Sequence, residues 1–135
     1  MSTVPLPRPR PIEATEPFWS ALRSHRVVLQ RCGACATWIH YPRRRCTACT
    51  SEDLRWEEVS GHGVVSTFTV ARQPTHPAFA DEVPQLLAVV ELDVGVRVTT
   101  TLTGVDPADV HIGMAVVPSF DDGDDGVTLL RFTPA

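Results

Sequence analysis

Four cysteines within eighteen residues constrain this chain more than any other feature of its sequence. They fall as Cys32-Gly-Ala-Cys35 and Cys46-Thr-Ala-Cys49, a C-x2-C-x10-C-x2-C pattern. Each pair can turn two thiolates toward one tetrahedral ion, with backbone N–H groups left over to bond the sulfurs. Two disulfides are the competing use, in a secreted domain. No secretory signal is visible, because the opening MSTVPLPRPRP lacks an apolar stretch and reads as an extended, proline-stiffened arm. A redox C-x2-C needs only one such pair, in a strand–helix setting that is missing here. The spacing therefore predicts one structural Zn²⁺ held by Cys32, Cys35, Cys46 and Cys49, with iron able to take the same ligands. Four thiolates leave the ion no open position for water or substrate, so its role is in folding. His40 could substitute as a ligand, but four cysteines already fill the site, and it is expected at the surface.

Charge is unevenly spread. Residues 1–50 carry eight Arg against Glu13 and Glu16, giving +6, whereas residues 51–135 carry four Arg against fourteen acids, giving −10. Such asymmetry suggests modules that meet different surroundings. Every basic residue is Arg, which favours planar, bidentate contacts to carboxylate or phosphate. Two uses are open for Arg43, Arg44 and Arg45: offsetting the negative charge of a zinc tetrathiolate, or binding phosphate.

The chain divides into three expected segments. Residues 1–26 hold the arm and a short helix over 13–26, with Thr15 as cap, Pro17 in the first turn, and Phe18, Trp19 and Leu22 on one apolar side. That face needs a cover, either the chain's own ribbon or a partner, so Phe18, Trp19 and Leu22 are candidate partner-binding residues. Residues 27–57 form a rubredoxin-like zinc ribbon. Residues 58–135 are strand-rich: 63–71, a hairpin of 85–93 and 97–103, then 114–120 and 127–132. Five short strands with a turn or two of helix before the fourth predict a closed five-stranded OB-fold barrel, and a mainly β protein overall. The loop Asp121–Gly126 lacks the alternating ligands of an EF-hand and reads as a solvated turn. No apolar run approaches the roughly 20 residues of a membrane span, and a cytoplasmic location is the default expectation.

With those segments in place, the chain resembles the DUF35 family of ChsH2-type zinc-ribbon/OB-fold proteins over nearly its whole length. The resemblance rests on Pro17-Phe18-Trp19, Gln30-Arg31-Cys32-Gly-Ala-Cys35, Tyr41-Pro42-Arg43 and the second knuckle. It continues through Trp56-Glu-Glu-Val-Ser-Gly61-His-Gly63, Ser66, Phe68-Thr69, Leu87-Ala-Val-Val-Glu91-Leu-Asp93 and Ile112-Gly-Met114. Ala36 stands where the family often has Gly, Tyr41-Pro42 where it often has Pro-Pro, and Thr47 where it often has Pro. The resemblance implies a companion of thiolase-superfamily enzymes that meets acyl-CoA only through the complex. It implies a partner aldolase cleaving a steroid side-chain CoA thioester by a retro-aldol step, or alternatively an acyl-CoA thiolase or acetyltransferase; some members are fused to a hydratase.

The residues themselves agree with a companion role. A thiolase needs a free Cys nucleophile beside a His base, and here every Cys is assigned to metal. There is no G-x-S-x-G turn, and the five His are scattered. Two rivals stay open. Single-stranded nucleic-acid binding is opposed by the acidic second half and by the few aromatics of residues 58–135, Phe68, Phe79, Phe120 and Phe132. Rubredoxin-like electron transfer is opposed by how little of the chain the ribbon occupies.

Overall fold

A computed structural model describes residues 4–135. A 3-10 turn, Glu13–Thr15, leads into helix α1, Glu16–Arg23. Thr15 does not cap with its side chain; its hydroxyl instead closes on Ile12, accepting the Ile12 N–H at 3.1 Å and bonding the Ile12 carbonyl at 3.2 Å. The helix is shorter than expected because His25 adopts φ +57, outside the helical region, and redirects the chain.

Three strands follow, β1 (Val27–Cys32), β2 (Trp38–Ile39) and β3 (Leu54–Val59), forming an antiparallel sheet in the order β2-β1-β3. A second sheet contains β4 (Gly63–Ala71), β5 (Gln85–Leu92), β6 (Arg97–Thr101), β7 (Ala115–Asp122) and β8 (Thr128–Pro134), in the order β6-β5-β4-β7-β8. Period-2 patterning sets these strands: in β5, Leu86, Ala88, Val90 and Leu92 point inward and alternate with half-buried Leu87, Val89 and Glu91. Gly63 opens β4 where β5 and β7 both pair with it, and a Cβ there would run into the Glu91 carbonyl oxygen. The helix expected before β7 is only a 3-10 turn, Pro107–Asp109.

The expected closed barrel does not form. The five-stranded sheet is open, with β6 and β8 as its edges. Just past the end of β6 the chain meets β8 at an isolated parallel bridge, Leu102–Phe132, beside the Thr103 N–H bond to the Phe132 carbonyl at 2.8 Å. The reason lies along the β6–β8 seam. Gly104, at φ +67, turns the chain away just past the bridge. Further back, the Thr100 hydroxyl spans to the Leu130 carbonyl at 2.9 Å in place of a ladder. A crevice of about 260 Å³, walled by Val98–Thr101, Leu129–Arg131 and the aromatic side of α1, lies between the two strands there.

The main core lies inside the five-stranded sheet around Val65, Val90, Val116 and Phe132, and Val27 and Leu29 of β1 are buried in it. A second cluster is Phe18, Trp19 and Leu22, packed on Trp56, Phe120, Val127, Leu129 and Leu130. The acidic loop is exposed, as expected of a solvated turn, and is tied down by polar contacts. Arg8 of the arm bonds Asp125 at 3.0 and 3.3 Å and the Val127 carbonyl at 3.0 Å, while Asp122 accepts the Thr128 hydroxyl at 2.7 Å and lies 2.9 Å from His25 Nε2. Among the described residues, no helix is long and apolar enough to cross a membrane.

Candidate metal centre

β1 runs directly into the first knuckle. Cys32 is its last residue, and the chain folds back at once: the Ala36 N–H bonds the Cys32 carbonyl at 2.9 Å, and the Cys32 N–H bonds the Thr37 carbonyl at 2.9 Å. The amides of Ala34 and Cys35 then point at Cys32 Sγ, at 3.3 and 3.4 Å. The second knuckle repeats each feature. The Thr50 N–H bonds the Cys46 carbonyl at 3.1 Å, and the amides of Ala48 and Cys49 point at Cys46 Sγ at 3.3 and 3.5 Å. Each turn ends on a left-handed residue, Ala36 at φ +64 and Thr50 at φ +66. A glycine suits that conformation best, because a Cβ costs about 1–2 kcal/mol in it. Ala36 and Thr50 tolerate it here because the knuckle over-determines the turn.

The two knuckles bring all four Sγ atoms within 4.8 Å of one another. Cys32 and Cys49 approach to 3.6 Å and Cys35 and Cys46 to 3.5 Å, too far for disulfides, and all four cysteines are free. A tetrahedron with Zn–S bonds of ~2.3 Å sets its sulfurs about 3.8 Å apart, so the cage has the right size for that ion. The amides on Cys32 and Cys46 supply the hydrogen bonds that thiolate ligands take. The protons of the sulfurs reflect their crowding. The Thr37 hydroxyl and amide pull Cys35 down to about 6. Cys49, although lowered by the Ser51 amide, is pushed up to about 12 by the sulfurs of Cys32 and Cys35. A thiolate beside other thiolates is destabilised unless a cation sits among them, which is the electrostatic demand a divalent ion meets.

Gln30 holds the segment between the knuckles, and sequence reasoning did not assign it that role. Its buried amide pairs with Arg43 as a strand would, receiving the Arg43 N–H at 2.7 Å and donating to the Arg43 carbonyl at 2.8 Å. The available signal was a lone uncharged polar residue, Gln30, following the apolar run Val27-Val-Leu29. The candidate phosphate residues are not gathered into a site. Arg45 is tied to Glu52 at 2.7 Å and Arg31 to Glu57 at 3.5 Å, whereas the exposed Arg43 and Arg44 side chains make no ion pair among the described residues. Arg31 also stacks over Trp38, 4.7 Å from the ring centroid.

The Phe18–Trp19–Leu22 face is not free for a partner. The three side chains are 4%, 9% and 0% exposed, covered by β8, Phe120 and Trp56, and Trp19 Nε1 donates to the Tyr41 hydroxyl at 2.9 Å. Self-packing, one of the two expected covers, is the one present, supplied by the ribbon through Trp56, His40 and Tyr41 and by β8 with Phe120.

His40 departs from the surface position expected for it. It packs 5.5 Å from Phe18 and 5.6 Å from Tyr41, its Nδ1 is buried without a hydrogen-bond partner, and burial lowers its pKa from 6.5 to about 4. The native state thus keeps this imidazole neutral while the unfolded chain takes up a proton below pH 6.5. Stability from this group is complete above that value and is lost as pH falls toward 4, by about 2–3 kcal/mol. Urea unfolding of wild type and His40→Leu at pH 7.5 and 4.5 checks this. The wild type is expected to lose more stability than the variant, and the difference separates His40 from thiolate protonation, which both proteins share. Equal losses count against it.

The fold and the cage together define a class: a two-knuckle metal ribbon whose first strand is rooted in the core of an open five-stranded sheet. The chain belongs to the DUF35 family of ChsH2-type proteins: residues 19–55 match the family model for the ChsH2 rubredoxin-like zinc ribbon domain, and residues 56–121 that for the ChsH2 C-terminal OB-fold domain. A probable enoyl-CoA hydratase alpha subunit of Thermomonospora curvata is 43% identical over 130 residues, covering 95% of this chain and 40% of that protein. A DUF35 domain-containing scaffold protein of Methanocaldococcus jannaschii is 36% identical over 104 residues, 72% of each chain. A solved structure described as an Ltp2-ChsH2(DUF35) aldolase is 39% identical and superposes with a TM-score of 0.83, covering 94% of this chain and 98% of that one. The chain therefore spans about two fifths of the hydratase subunit and nearly all of the aldolase-associated chain.

Proposed function

We propose that this chain is the non-catalytic, zinc-holding companion of a thiolase-superfamily enzyme that acts on acyl-CoA thioesters. Cys32, Cys35, Cys46 and Cys49 hold one Zn²⁺, which cross-links the knuckles and has no open position for chemistry. The observation that carries the reading is the near end-to-end superposition on the chain of the Ltp2-ChsH2(DUF35) aldolase. It favours an aldolase partner and retro-aldol cleavage of a steroid side-chain CoA thioester over thiolysis. The scaffold description of the archaeal relatives supports a supporting rather than a reacting subunit. The Cys accounting agrees: all four thiols lie in the cage, and none is left as a nucleophile. A cytoplasmic location fits thiols kept reduced for metal.

A second reading has its own support. The Thermomonospora relative and a Mycobacterium tuberculosis 3-oxo-4,17-pregnadiene-20-carboxyl-CoA hydratase alpha subunit, 35% identical over 115 residues, both carry the name of a hydratase subunit. This chain covers only 36% of the latter, so the shared part is the companion module and the remainder of those proteins is separate. Steady-state assays with a steroid side-chain CoA substrate test the proposal. The purified chain alone is expected to show no turnover, and an Ltp2 subunit to gain activity or solubility when the chain is added. Turnover by the chain alone, or an Ltp2 subunit indifferent to it, overturns the reading.

A further inference from the structure

The outer face of β4–β5–β6 is unlike the rest of this acidic half of the molecule. Strand register sets its side chains in two rows: Thr67, Val89 and Thr99 in one, Thr69, Leu87 and Thr101 in the next. All six stand on the side opposite the buried Leu86, Ala88, Val90, Val98 and Thr100. None carries a charge, although residues 51–135 contain fourteen acids and four Arg. A shallow depression of about 210 Å³ lies between the rows, walled by Thr67, Thr69, Leu87, Val89 and Thr99. Charge returns at the border, where Arg97 faces Glu91 at 3.8 Å in the neighbouring row. An uncharged centre with a charged border is the anatomy of a protein-binding patch.

The same face ends at a strand edge with no ladder partner among the described residues. β7 pairs with β4 only at Gly63 and Val64, and the Val65 backbone then bonds Met114 and Gly113. From Thr67 to Ala71, β4 has a ladder on its β5 side alone among the described residues. Open edges in soluble proteins are usually blunted by Lys, Pro, inward charge or a bulge; here a bulge sits at Ser66, between the Val65 and Thr67 pairings, and Thr67-Phe-Thr-Val-Ala71 beyond it contains no Lys, Pro or charge. Face and edge meet along β4, so one occupant can cover both.

We infer that the β4–β5–β6 face, with the free edge of β4, is the surface on which the acyl-CoA enzyme subunit docks; the inference rests on the companion role proposed above. The occupant's matching patch is uncharged, with an apolar side chain seated in the depression between the two rows. The chemistry of the face excludes the other occupant that strands of this arrangement commonly take, a single-stranded nucleic acid. It offers neither the cations that track phosphates nor the aromatics on which bases stack.

Calorimetric titration of the purified chain with an Ltp2 subunit is the test. Val89→Arg and Thr99→Arg put charge into the centre of the face while leaving inward packing untouched, and Ile112→Arg, at a position 69% exposed and off the face, is the control. Both face variants are expected to melt as wild type does and to lose at least about tenfold in affinity, while Ile112→Arg binds normally. Hydrogen exchange is expected to slow at residues 67–71 when the partner binds. Face variants that bind as tightly as wild type, with exchange at β4 unchanged, overturn the docking surface and leave the companion role standing. Failure of the wild type itself to bind overturns the companion role, and this inference with it.

Discussion

Cys46→Ser is expected to lose bound metal and the cooperative fold together. Cys46 is 3% exposed and joins the second knuckle to the cluster of Cys32, Ile39 and Leu54, and its sulfur takes two backbone amides as well as lying 3.5 Å from Cys35. A serine oxygen at that place is a poorer zinc ligand and leaves the amides aimed at a smaller acceptor. Structural zinc contributes on the order of 10–16 kcal/mol to small ribbon-like modules, as much as the whole stability of an ordinary domain at about 5–15 kcal/mol. The loss does not stop at the ribbon, because β1 carries Val27 and Leu29 into the main core, both less than 3% exposed. Metal content by mass spectrometry and a thermal melt read the two effects separately. One zinc per wild-type chain and none in the variant, with the melt broadened or gone, is the expected pair of results. A metal-free Cys46→Ser protein that melts cooperatively at the wild-type temperature would mean that the core alone carries the fold.

What was legible in the sequence follows from how local each feature is. The knuckles are local: two C-x2-C turns satisfy their own amides within five residues, so spacing alone foretells the cage. The β5–β6 hairpin is local too, its alternation and Val94-Gly95-Val96 turn setting register without help from the rest of the chain. Barrel closure is not local. Whether β6 meets β8 depends on what lies between strands thirty residues apart, and here a crevice lined by the aromatic side of α1 intervenes. His40 misled for the same reason. Four cysteines correctly removed it from the ligand set, but nothing in its neighbours in sequence says that Phe18, two strands and a helix away, will cover it. Gln30 was readable only as an anomaly, since its partner Arg43 lies across the knuckle. The β4–β5–β6 face needed register, because six uncharged residues on three strands form a patch only once their rows are aligned.

Trp19→Ala is expected to destabilise the isolated chain by about 3–5 kcal/mol, the usual cost of truncating a buried large aromatic. Three contacts are lost at once. The indole is 9% exposed, its edge meets Phe18 at 5.3 Å with the rings at 81°, and its N–H satisfies the Tyr41 hydroxyl at 2.9 Å. Aromatic pairs in that edge-to-face arrangement add about 0.5–1.5 kcal/mol beyond burial. Tyr41 is half open to water, so its hydroxyl finds a replacement partner, and the hydrogen-bond share of the loss should be the smaller one, about 0.5–1.5 kcal/mol. A double-mutant cycle with Tyr41→Phe isolates that share, because Tyr41→Phe in the Trp19→Ala background should cost almost nothing more. The packing is intramolecular, so the affinity of the folded fraction for an Ltp2 subunit should not change with the melt. A lowered melting temperature with unchanged affinity assigns Trp19 to the chain's own second core. An unchanged melting temperature with affinity reduced by about tenfold or more would move it to the interface, and the β4–β5–β6 face would then have to share the docking energy with α1.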